Sequence, residues 1–260
     1  MIFYFTGTGN SLYAAKILDS EYVSIPQIMN SNGLEFKADK IGIICPIYGH
    51  EIPAMVKEFL HKATFYTDYL YVVLTYGNRH ANAVDLAEKA LESAGKRANY
   101  ITTLLMVDNF LPAFDMDEQI KLDKGVEQQL ANIKADIDAQ KREYQKVTCK
   151  DRMAHEGYLA LVQQQSETVW ADFDFTEDCI GCGICTRVCP AGCIHMENQR
   201  AVRTGENCQA CYACVHACPK AAIKVKKIMG FQEKNPKVRY RNEHIELSEI
   251  VAANNQTENQ

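Results

Sequence analysis

Residues 1–18 read MIFYFTGTGNSLYAAKIL, in which an apolar run passes directly into a small, hydroxyl-rich segment with two glycines and no cation. Met1–Phe5 has the pattern of a buried parallel strand. Asn10 or Ser11 caps a helix to about Leu18, with Leu12, Ala15 and Leu18 on one face. A strand that ends in a tight glycine loop and enters a helix gathers unpaired backbone N–H groups at one point. Together with the helix N-terminus they form an anion site. Thr6, Thr8, Asn10 and Ser11 add donors, while Gly7 and Gly9 admit a close backbone approach. The chain has no GK[ST] here, which argues against a triphosphate held by a P-loop lysine, and no GxGxxG for a dinucleotide. The segment suits a terminal monophosphate held by neutral donors. The plain alternative is a helix cap on a turn.

Working outward, strand and helix patterns alternate. Strands are expected at 22–25, 41–45, 69–75 and 100–107. Helices are expected from Pro53, at 81–94 with Gly95 as the stop, and at 117–147, where Val126, Leu130, Ile133 and Ile137 share a face. The expected class is α/β, a doubly wound five-stranded parallel sheet with helices on both faces. Ligands of such sheets sit at the carboxyl ends of the strands, near a switch in strand order. Three loops leave such ends: Thr6–Ser11, Pro46–Ile52 and Thr75–His80. Tyr48 and Tyr76 are candidates to flank a planar ring, and each is equally a packing residue. His50 and His80 are candidate proton donors or surface polar residues; no general acid or base stands out.

The chain has 260 residues, a net charge of −5 and 11 cysteines. That balance gives no reason to expect nucleic acid or an anionic membrane as a partner. No apolar run is long enough for a membrane span, and no basic n-region precedes the first strand, so a cytoplasmic location is expected. Nine of the cysteines fall within residues 179–218, a density that favours metal ligation over disulfides. Cys45 reads as a core thiol and Cys149 has no evident partner.

Cys179-x2-Cys182-x2-Cys185-x3-Cys189-Pro190 is followed by Cys208-x2-Cys211-x2-Cys214-x3-Cys218-Pro219, an offset of 29 residues. This is the bacterial two-cluster spacing, in which the fourth cysteine of each run ligates the other cluster. Cys179, Cys182, Cys185 and Cys218 are expected to hold one [4Fe–4S] cluster, and Cys208, Cys211, Cys214 and Cys189 the other. Zinc is the alternative, because CxxC pairs also build ribbons. Cys193 matches Ala222 in the repeat and reads as packing. His195 and His216 read as solvated or hydrogen-bonded. Gly181, Gly183, Ala210 and Ala213 allow backbone N–H groups to reach the sulfurs.

These residues carry a resemblance. TGTGNS after a first strand looks like the phosphate loop of flavodoxins, which bind FMN. PIYGHEIP and TYGNRHANA resemble the flavin-contacting loops of that fold, and the cysteine block resembles clostridial-type ferredoxins. Their order, with KDRM before the cysteines and VRYRNEHIELSEIVAANN after them, is similar to the flavodoxin–ferredoxin fusion proteins of EFR type in anaerobes. The resemblance implies an FMN phosphate held by Thr6, Gly7, Thr8, Gly9, Asn10 and Ser11. It implies Pro46, Tyr48, Gly49, Thr75, Tyr76, Gly77 and Asn78 around the ring. Many flavodoxins stack a Trp on the flavin, whereas Trp170, the sole Trp, lies in the connector.

The expected division is a flavodoxin-like domain at 1–148, a connector at 149–174 without sheet patterning, an α+β two-cluster ferredoxin domain at 175–228 and a tail at 229–260. Lys224–Arg241 is locally basic, either a solvated face or a docking surface, and the end NNQTENQ is expected to fray. The function expected is an electron carrier joining FMN to two [4Fe–4S] clusters and to redox partner proteins, with room for a homodimer. The alternative is an FMN-dependent reductase of a small oxidised substrate, fed by its own clusters.

Overall fold

The computed structural model describes residues 1–163, 169–205, 207–226 and 231–257. Gln164, Gln165, Lys227 and the last three residues, on which parts of the connector and tail expectations fall, lie outside the described residues. The chain forms two compact units. One comprises Met1–Phe5, Ser11–Met106 and the stretch that starts at Asp123; the other comprises Thr6–Asn10, Val107–Leu122 and the C-terminal part of the chain.

The first unit is built on a parallel sheet. Its strands are β1 (Ile2–Tyr4), β2 (Tyr22–Ser24), β4 (Lys40–Pro46), β6 (Tyr69–Tyr76), β7 (Tyr100–Leu105) and β8 (Glu143–Tyr144), in the order β2-β1-β4-β6-β7-β8. Phe3 pairs with both Val23 and Ile43, Ile43 with Val72, and Val72 with Ile101. Every residue from Ile41 to Cys45 and from Tyr69 to Thr75 is buried, the signature of strands covered on both faces. Burial also pushes the Cys45 thiol pKa far up, as befits a core thiol. Helices α1 (Asn10–Leu18), α3 (Ala54–Lys62), α4 (Ala83–Ser93) and α6 (Val126–Asp138) connect the strands, with a single turn of helix, α2 (Ile25–Ile28), after β2. The order reverses direction between β1 and β4, the kind of switch point at whose carboxyl ends folds of this type bind ligands.

Two short strands lie outside the expected set. β3 (Glu35–Lys37) and β5 (Thr64–Tyr66) pair with each other in parallel and carry Phe36 and Phe65 against Phe3, with ring centroids 4.4 and 5.7 Å from it. Their brevity hides them in the sequence. A larger difference concerns the long helix expected at 117–147. The chain instead forms a turn of helix α5 (Met116–Gln119), then α6, then the edge strand β8. Gly125, at φ +59°, starts α6 anew after the Asp123 carboxylate accepts its N–H, and Gln140, at φ +49°, ends the helical path. Leu130, Ile133 and Ile137 are buried as one stripe, so the spacing located the helix face but not its ends. The sheet therefore has six strands, not five.

The stretch expected to be a connector opens with a further helix, α7 (Cys149–Val162), in the same unit. Thr148 and Asp151 cap it reciprocally: the Thr148 side chain accepts from the Asp151 N–H, and the Asp151 carboxylate accepts from Thr148.

In the second unit, β9 (Phe173–Phe175) pairs antiparallel with β12 (Ile223–Val225), and β10 (Ile194–Glu197) with β11 (Arg200–Arg203). Short helices α8 (Ile184–Arg187) and α9 (Ala213–Ala217) follow the cysteine loops, and α10 (Leu247–Asn254) closes the unit. Trp170 packs edge-on to Phe110, 5.4 Å between centroids. The basic stretch is not wholly solvated: Arg239 pairs with Glu233 at 3.2 Å, both nearly buried. Nor is the polar end all loose, because Asn254 and Gln256 are buried. Among the described residues, no helix is long and apolar enough to cross a membrane.

Candidate functional site

The two cysteine runs fold as near-copies. Gly181, Gly183 and Gly192 take left-handed backbone in the first run, and Ala210, Tyr212 and Ala221, 29 residues on, take it in the second. Gly183 and Tyr212 stand at the N-caps of α8 and α9. In each copy the residue four beyond the last cysteine donates its N–H to that cysteine's sulfur: Cys193 to Cys189 at 3.3 Å and Ala222 to Cys218 at 3.2 Å. Such N–H···S bonds offset the negative charge of a thiolate.

Cys179, Cys182, Cys185 and Cys218 line one cavity, walled by Ile180, Pro219 and Ile223. Three of its thiols thus come from the first run and one from the second. Burial, then the proximity of Cys218, Cys179 and Cys182, pushes the Cys185 thiol up to about 12. Burial raises the Cys211 and Cys214 thiols strongly, and the proximity of Cys189, from the first run, adds to both. Cys193 gives its backbone N–H to Cys189 Sγ at 3.3 Å and its thiol to the Ala191 carbonyl at 3.8 Å. One mixed group of four thiols, three from the first run and one from the second, is thus brought together around this cavity. Among the described residues, no three His, Cys, Asp or Glu side chains gather closely enough for one metal ion.

The two histidines of this block are hydrogen-bonded. His195 Nδ1 meets Thr204 Oγ1 at 3.2 Å. His216 is buried, accepts the Tyr240 N–H at Nδ1 (3.0 Å) and donates from Nε2 to the Asn109 carbonyl (2.8 Å). Burial first, then the Arg239 charge, holds its pKa down at about 4, so the ring is neutral.

Thr6–Asn10 belongs to the same unit as the cysteines. The loop is deeply buried, with Thr6 and Thr8 at 1% and 3% exposure. Four of its acceptors are taken. Asn254 Nδ2 donates to the Thr6 carbonyl at 3.0 Å, the Asn242 N–H to the Thr8 carbonyl at 2.9 Å, and Asn109 Nδ2 to Thr8 Oγ1 at 3.0 Å. Asn10 Oδ1 accepts from Tyr240 Oη at 2.6 Å and Asn242 Nδ2 at 3.1 Å. Of the donors, the Gly9 N–H turns inward to Thr6 Oγ1 at 3.1 Å. The Gly7 and Thr8 amides find no partner among the described residues. Orphaned buried N–H groups cost about 1–3 kcal/mol each, and an anion supplies the acceptor they lack.

The remaining candidates lie in the sheet unit. Ser11 Oγ and Thr75 Oγ1 are hydrogen-bonded at 2.9 Å, joining the start of α1 to the end of β6. Pro46 pairs in register with Thr75. Tyr48 bridges Glu51 in a tight turn and meets Phe5 edge-on. Gly49 and His50 both take left-handed backbone in that turn, at φ +56° and +72°. Tyr76 is half-buried beside His80, Gly77 accepts from Lys124 Nζ at 3.1 Å, and Asn78 is exposed.

Against this turn stands α7. Its Tyr158 hydroxyl fills the space beside Gly49, and His155 Nδ1 lies 3.3 Å from His50 Nδ1. Burial, then the charges of Arg79, His155 and His80, lowers the His50 pKa to about 4. Sequence reasoning missed His155 and Tyr158 on α7, and Asn109, Tyr240, Asn242 and Asn254 around the first loop. These asparagines are 101 to 248 residues from their partners in the loop, and nothing in a linear reading ties them together.

Residues 161–223 match the family model of the 4Fe-4S dicluster domain. No curated protein matches the chain. The matched segment contains both cysteine runs, and it supports an iron–sulfur electron-transfer role.

Proposed function

We propose that this is an electron-transfer flavo-iron–sulfur protein that relays electrons between FMN and two [4Fe–4S] clusters. The observation that carries the reading is the mixed cavity, in which Cys218 of the second run joins Cys179, Cys182 and Cys185 of the first. Ligation in this sense gives each cluster three thiolates from one run and the fourth from the other, with Cys189 joining Cys208, Cys211 and Cys214. Interleaving of this kind keeps two clusters close, which one-electron transfer requires.

For the flavin, support comes from the buried Thr6–Asn10 loop with its orphaned amides, and from a flavodoxin-like strand order with a switch between β1 and β4. Thr6, Gly7, Thr8, Gly9, Asn10 and Ser11 would hold the phosphate; Pro46, Tyr48, Gly49, Thr75, Tyr76, Gly77 and Asn78 would face the ring. When bound, FMN supplies exchange of one or two electrons and each cluster exchange of one, so the protein converts between pair and single-electron chemistry. The chain's own part is to hold and tune. The N–H groups of Cys193 and Ala222 stabilise thiolate charge, and the apolar walls of the cavity exclude water.

An anaerobic redox titration followed by optical and EPR spectra tests this. Two interacting cubane signals and a releasable FMN are expected. Colourless protein, or zinc in place of iron with no yellow chromophore, would overturn it. Turnover of a small acceptor by the isolated protein, without a second redox protein, would instead make the chain a reductase.

A further inference from the structure

The C-terminal segment does more than close the second unit. Tyr240, Asn242 and Asn254 all donate hydrogen bonds into the Thr6–Asn10 loop, and each bond lands on an acceptor. This arrangement has a geometric consequence. In a planar trans peptide, the carbonyl of one residue and the N–H of the next point in opposite directions. Holding the Thr6 carbonyl therefore aims the Gly7 N–H, and the bond that holds it comes from Asn254, which is fully buried. Holding the Thr8 carbonyl likewise fixes the Gly9 N–H, which ends on Thr6 Oγ1. The segment packs closely on the loop: a Cβ at Gly9 would come within about 3.1 Å of both Asn242 and Ile245. Asn254 Nδ2 also donates to the Val188 carbonyl at 3.3 Å, so the brace is anchored beside Cys189.

We propose that Asn254 is a positioning residue that locks the Thr6–Gly7 peptide plane, directing its amide at a phosphate monoester, while Tyr240 and Asn242 hold the Thr8–Asn10 side of the same loop. The inference rests on the flavin reading above for the identity of the ligand, the terminal phosphate of FMN. It assigns the selectivity for that phosphate to a residue almost 250 positions away in the chain.

The test compares FMN with riboflavin, which carries the same ring and no phosphate. Affinities are measured by fluorescence quenching on full-length, cluster-loaded protein depleted of flavin, with circular dichroism and iron content as checks. Asn254→Ala should weaken FMN binding about tenfold, the loss expected when one hydrogen bond stops organising a charged contact. Riboflavin should change less than about twofold on the same grounds. Tyr240→Phe, which removes one hydroxyl and little else, should lower FMN affinity about threefold, again selectively. It carries the test if Asn254→Ala fails to fold.

Equal losses for both flavins, or no change in either, would overturn the inference. If the wild-type protein binds neither flavin, the flavin reading fails separately, and 31P NMR with inorganic phosphate decides the rest. Phosphate binding that Asn254→Ala or Tyr240→Phe weakens keeps the loop assignment for an anion; absence of phosphate binding overturns it as well.

Discussion

Crossed ligation makes a prediction that single substitutions cannot make. If Cys182 and Cys218 serve the same cluster, removing both destroys one site and leaves the other four thiols intact. If each run instead held its own cluster, the same pair of changes would break both. The cavity lined by Cys179, Cys182, Cys185 and Cys218 is the ground for expecting the first case. Cys182→Ala/Cys218→Ala should therefore retain about half of the iron, roughly four atoms per chain for one remaining cubane. Cys182→Ala/Cys189→Ala takes one ligand from each set and should retain little or none. Alanine is preferred to serine because an alkoxide can itself ligate iron. Iron and acid-labile sulfide assayed on anaerobically reconstituted protein give the count, and visible absorbance gives an independent check. The doubles also form a cycle: the second loss should be almost free within one set and fully additive across sets. An iron-free Cys182/Cys218 double beside a half-loaded Cys182/Cys189 double would refute crossing and the reading of the cavity with it.

Other expectations follow from local geometry. Gly9→Ala places a methyl group about 3.1 Å from both Asn242 and Ile245 at φ +101°; overpacking and left-handed strain should together cost about 2–4 kcal/mol, visible as a lowered midpoint in anaerobic thermal unfolding. His50 is held neutral in the fold, its pKa down from 6.5 to about 4. Its contribution is fully present above about pH 6.5 and is lost as pH falls towards about 4, because the unfolded chain takes up the proton first. His50→Asn, which suits the left-handed backbone there, should flatten the stability profile across that window; an unaltered profile would remove His50 as its source.

What the sequence disclosed depended on how local the signal was. IGIIC and YLYVVLT are buried strands because continuous apolar runs leave few other options, and Gly95 ends its helix by the conformation only glycine adopts freely. The cysteine spacing is local too. By contrast, the break between α5 and α6 turns on Gly125 and one Asp123 bond, while the apolar stripe of α6 runs on undisturbed and conceals the stop. β8 is two residues long and has too little pattern to register. The contacts that shape the first loop come from Asn109, Asn242 and Asn254, polar residues that look like solvent-facing ones until the chain folds back on itself.

The paired cysteine runs also differ in the freedom of their backbones. Where the first run bends through Gly181, Gly183 and Gly192, the second bends through Ala210, Tyr212 and Ala221. Each of those side chains makes the left-handed turn costlier by about 1–2 kcal/mol. The second run therefore stores backbone strain that the first, with glycine at the matching places, does not, and a bound cluster would have to hold it. Demetallation should accordingly have an order, with the stretch around Cys208–Cys218 recoiling before its twin, and glycine at 210 and 221 should erase that order.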